Sequence, residues 1–67
     1  MNSLTLYTIK NSEGKFYFPT MGGSIAWSVV PDYTNAARDR NQAAGWLYRL
    51  SQRTGEQLEI AELTITW

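Results

Sequence analysis

Apolar and polar positions change rhythm several times along the chain, and each change marks an element. Leu4-Thr5-Leu6-Tyr7-Thr8-Ile9-Lys10 is dense in β-branched and aromatic residues and predicts a strand. Asn11-Ser12-Glu13-Gly14 is turn chemistry, and Lys15-Phe16-Tyr17-Phe18 resumes the strand pattern until Pro19 ends it. Two such runs around a short polar loop predict a β-hairpin. Met21-Gly22-Gly23-Ser24 reads as a flexible connection. Ile25-Ala26-Trp27-Ser28-Val29-Val30 then predicts a third strand, with Ile25, Trp27 and Val29 on one face and Pro31 as its stop. Pro31-Asp32-Tyr33-Thr34-Asn35 is again turn chemistry.

The rhythm next becomes helical. Ala43, Trp46, Leu47 and Leu50 recur at i, i+3, i+4 and i+7, the apolar stripe of a helix packed on a sheet. Asp39 with Gln42 three residues on resembles a capping box and starts the helix near Arg40. A start at Thr34 would put Asp39 inside the apolar stripe, so a break or a single turn is expected around residues 35–38. Gly55 is a natural stop, with Arg53 near the negative end of the helix dipole.

The last segment, Leu58-Glu59-Ile60-Ala61-Glu62-Leu63-Thr64-Ile65-Thr66-Trp67, predicts a strand whose alternation changes phase. Leu58 and Ile60 share one face; Ala61, Leu63, Ile65 and Trp67 share the other. A β-bulge near residues 60–62 reconciles the two sets. So does burial of both faces, for instance by a partner. The predicted order is β-β-β-α-β, an α+β fold in which one helix packs on a small, mainly antiparallel sheet, with Trp46, Leu47 and Leu50 facing it.

The 67 residues make room for a single domain spanning 1–67 and for one thin core. Chains this short usually rely on a staple, and the absence of cysteine rules out a disulfide. Dense aromatic packing and self-association remain. Tyr7, Phe16, Tyr17, Phe18, Trp27, Tyr33, Trp46, Tyr48 and Trp67 are too many to fit inside, so some are expected at a binding surface. The final strand is the expected seam of a homodimer, because one helix covers only one face of a small sheet.

Net charge is zero and the isoelectric point is near 6.1, which fits neither a strongly basic nucleic-acid binder nor an acidic nucleic-acid mimic. No leader or membrane span is expected, and cytoplasm is the default location. Cysteine and histidine are both missing, which removes thiol nucleophiles, imidazole bases and the usual zinc sites. The expectation is a non-enzymatic protein with no cofactor and no metal. Glu59 and Glu62 could work as an acid–base pair only if a bulge brought them to one face, and they read as solvated charges. Gly22-Gly23-Ser24 lacks the Lys-Ser/Thr of a phosphate-binding loop and reads as a plain turn.

Positive charge is uneven. Arg38, Arg40, Arg49 and Arg53 fall close together with only Asp39 among them. Arg49 and Arg53 form an i,i+4 pair flanking Trp46, and arginine beside aromatics suits a protein surface or nucleic acid. The plainer reading is local pairing with Glu56, Glu59 and Glu62. Tyr48 lies opposite the apolar stripe beside Gly45, a mid-helix glycine that costs about 1 kcal/mol against alanine. A notch beside an outward tyrosine is a plausible contact point. Tyr48, Arg49, Arg53, Arg38, Arg40 and Tyr17 are therefore the candidate binding residues.

Tyr7-Thr8-Ile9-Lys10-Asn11-Ser12-Glu13-Gly14-Lys15-Phe16-Tyr17, then Trp27, a helix and Thr54-Gly55-Glu56-Gln57-Leu58-Glu59-Ile60-Ala61-Glu62 together resemble small bacteriophage and prophage proteins. The resemblance spans most of the chain, rests on structural motifs, and transfers no catalytic or binding residue. It implies a viral protein in the host cytoplasm that binds a host protein or complex and blocks or modulates it, as anti-CRISPR and other anti-defence proteins of this size do. The alternative is a nucleic-acid-binding accessory protein using the arginines and sheet aromatics such as Tyr17.

Overall fold

Ser3–Lys10 forms strand β1, the centre of the molecule (a computed structural model describing all residues except Met21 and Gly23). Phe16–Pro19 is β2, Ile25–Ser28 is β3, Arg40–Thr54 is helix α1 and Glu59–Thr66 is β4. The β-β-β-α-β order and the α+β class are those the sequence predicts. The sheet is antiparallel with strand order β3-β2-β1-β4. The expected flexible connection at 21–24 and the glycine turn within it fall partly on Met21 and Gly23, outside the described residues.

The hairpin loop is tied by one side chain. Asn11 is buried, and its Oδ1 accepts from the Glu13 and Lys15 N–H groups at 3.0 and 2.9 Å. Gly14 sits at φ +79, a left-handed conformation that glycine adopts without strain. β2 and β1 meet at Lys10 and Phe16. Further along, the edge of β1 is taken by Ala37: the Tyr7 N–H donates to the Ala37 carbonyl at 2.8 Å and the Ala37 N–H to the Tyr7 carbonyl at 2.7 Å. This bridge is the break expected before the helix. It satisfies backbone groups that would otherwise be left unpaired where β2 departs.

β3 is shorter than the sequence suggests. It ends at Ser28, and Val29 and Val30 lie outside it at 75% and 64% exposure. β2 keeps Pro19 as its last residue, paired with Ile25.

β4 corrects a larger expectation. Its eight residues pair with β1 in unbroken register, from Ser3 with Thr66 to Lys10 with Glu59, so no bulge turns the strand at 60–62. The phase change is instead matched in the partner strand. Leu4 and Leu6 lie opposite Ile65 and Leu63 on one face; Ile9 lies opposite Ile60 on the other. Both faces of β1 are covered: Leu6 and Thr8 are buried on the first, and Ile9 is fully enclosed on the second. Glu59 and Glu62 consequently point to opposite faces, and no acid–base pair forms.

Leu6, Ile9, Ala37, Ala43, Leu50 and Leu63 make up the buried hydrophobic core. All are aliphatic. None of the nine aromatics is buried; Phe18, Tyr33, Tyr48 and Trp67 are exposed and the rest are half-buried. Aromatic packing therefore lies outside the buried core, where Tyr17 meets Trp27 and Trp46 among half-buried positions. α1 packs on β1 and β4 through Ala43 and Leu50, with Trp46 and Leu47 half-buried beside them. No described helix is long and apolar enough to cross a membrane.

Candidate functional site

The ends of α1 are set by local chemistry. Asp39 adopts an extended backbone and its Oδ1 accepts from the Gln42 N–H at 2.8 Å. An acceptor here meets a donor that the first helical turn leaves unpaired. At the other end Gly55 takes φ +69 and its N–H donates to the Ser51 carbonyl at 2.9 Å. Between these caps the spacing i, i+3, i+4, i+7 puts Trp46, Arg49, Leu50 and Arg53 along one side of the helix.

Tyr17 of β2 faces this row. Its ring meets Trp46 edge-on at 6.0 Å between centroids, and meets Trp27 of β3 in the same manner at 6.2 Å. Such edge-to-face pairs place the positive rim of one ring against the negative face of the next. Tyr17, Trp46, Arg49, Leu50 and Arg53 thereby line a groove of about 180 Å³. That is below the roughly 300–1,000 Å³ typical of small-molecule sites. Its lining combines two half-buried aromatic rings and two arginines with the buried Leu50.

The structure thus divides the predicted residues into three groups. Tyr17, Arg49 and Arg53 come together. Tyr48 is 67% exposed and follows Trp46 by about 200° around the helix, so it stands outside the groove. Arg40 opens the helix about half a turn round and about 14 Å along from Arg49, which separates Arg38 and Arg40 from the groove. The four arginines are not one patch. Trp46 and Leu50, read from the sequence as core stripe, also form the groove wall. Their i,i+4 spacing beside Arg49 and Arg53 was the signal available for this dual role.

The expected pairing of arginine with the carboxylates of β4 is not what Glu59 does. It pairs with Lys10 at 3.7 Å, its direct cross-strand neighbour, while Glu13 pairs with Lys15 at 3.8 Å. Among the described residues Arg38, Arg40 and Arg49 have no carboxylate within ion-pair distance. Nor do the described residues contain a cluster of acidic side chains able to hold a metal ion.

No protein-family model, curated protein or solved structure matches the chain.

Proposed function

We propose that this is a non-enzymatic binding protein that occupies the surface of a host protein or complex and blocks or modulates it. The contact runs along the C-terminal half of α1: a carboxylate-bearing side chain of the partner enters the groove that Arg53 helps to line, Arg49 meets its charge, and Tyr48 packs outside. The carrying observation is the groove itself, where Arg49, with no carboxylate in ion-pair distance among the described residues, stands beside Trp46 and Tyr17. Arginine and aromatic residues supply most interface hot spots, and a guanidinium fork pairs carboxylates in two-point geometry. The phage-like layout of the sequence fits an inhibitor of host defence.

Affinity capture from nuclease-treated host extract tests this reading. The intact chain is expected to retain a discrete protein that Arg49→Glu loses and Arg40→Glu keeps. Equal capture by all three overturns the assigned surface. The second reading, a nucleic-acid accessory protein, draws on the same arginine and aromatic residues. It requires a gel shift on single-stranded DNA or RNA that fades as salt rises.

A further inference from the structure

β4 is an edge strand of the sheet, with no strand hydrogen-bonded to its outer side among the described residues. The Trp67 N–H donates to the Asn2 carbonyl at 3.1 Å and the Asn2 N–H to the Trp67 carbonyl at 2.9 Å. Antiparallel pairing alternates, so Glu59, Ala61, Leu63 and Ile65 also direct their backbone groups at β1. Ile60, Glu62, Thr64 and Thr66 direct theirs away. The other side of β1 confirms the parity: Tyr7, opposite Glu62, spends its backbone groups on Ala37. Among the described residues nothing pairs with the outward groups of β4. The strand has neither lysine, proline nor bulge, and Glu59 and Glu62 are its only charged residues.

The geometry points to a second copy of this chain as the occupant, β4 pairing antiparallel with β4 of the partner to join two sheets into one. A two-fold axis normal to the sheet keeps each residue on its own face, so only registers centred on a residue are allowed. Centring on Glu62 sets two carboxylates directly opposite one another, a destabilising arrangement. Centring on Thr64 shortens the ladder. Centring on Leu63 avoids both faults. It pairs Glu62 with Thr64 and Ile60 with Thr66 through the free backbone groups, and brings the two Leu63 residues together as a close, non-hydrogen-bonded pair. On that face Ala61 falls opposite Ile65, which sets a small residue against a branched one. Zero net charge offers little repulsion between copies. This seam is separate from the groove, so one can fail without the other.

Thr64 is exposed and its backbone groups have no partner among the described residues, so it can be changed without touching the core. Sedimentation across a range of concentrations is expected to show a monomer–dimer equilibrium. Thr64→Lys sets lysine opposite the partner's Glu62 twice over and should tighten the dimer about tenfold; Thr64→Glu should loosen it by a similar factor. Thr64→Pro should leave a folded monomer. Amide exchange gives a second readout: the N–H groups of Ile60, Glu62, Thr64 and Thr66 become protected as concentration rises. A chain that stays monomeric at hundreds of micromolar overturns the proposal, as does a dimer indifferent to both charged substitutions.

Discussion

Single side chains fix the turns and ends of this fold, and three of them give direct tests. Asn11 holds the hairpin loop by accepting two backbone N–H groups while buried. Asn11→Ala leaves both donors without that partner and should cost about 1–3 kcal/mol in urea unfolding; Asn11→Asp, which keeps the acceptors, should cost less. Asp39→Ala removes the helix cap and should cost about 1 kcal/mol by the same measurement. Gly45 behaves in the opposite sense. A Cβ added there meets nothing within 4 Å, so no packing within the chain requires glycine. Gly45→Ala should therefore stabilise by roughly 0.5–1 kcal/mol, and unchanged or lower stability would show that the helix is not regular at that point. A glycine kept against this gain suits close approach by a partner beside Tyr48, and Gly45→Ala weakening capture would support that contact.

At the scale of elements, the central pair β1–β4 carries the core. Ile9→Ala empties a fully enclosed site and should cost about 2–5 kcal/mol, against little for the half-exposed Phe18→Ala. Equal losses from the two would mean that the aromatics outside the core, not this pair, hold the fold. The elements were legible from the chain because local signals agreed: the Asp39 cap, the Gly55 stop and the 3.6-residue period all delimit one helix. The phase of β4 was harder, since a single strand cannot reveal where its neighbour also changes face. Read together, Ile9 with Ile60 and Leu6 with Leu63 make the change regular. Val29 and Val30 look like strand but have no strand partner among the described residues, since pairing with β2 ends at Ser28. Propensity yields there to tertiary context.

Across the whole molecule, the sheet, helix and hairpin reach 40 Å in one direction against 22 and 20 Å in the others. The groove lies where the β2–β3 hairpin meets the helix, between elements distant in sequence. Half of the site was therefore readable, through the i,i+4 arginines beside Trp46. Tyr17 as the opposite wall depended on how the hairpin folds back, which local pattern does not encode. The same geometry splits the arginines, so their roles should separate. The proposed contact lies on the groove side of α1, and photo-crosslinking from single positions tests it most directly. A photoreactive residue at position 49 is predicted to form a protein adduct in host extract, while the same residue at position 40, half a turn away, forms none. An adduct from position 40 alone, or adducts to nucleic acid rather than protein, would contradict it.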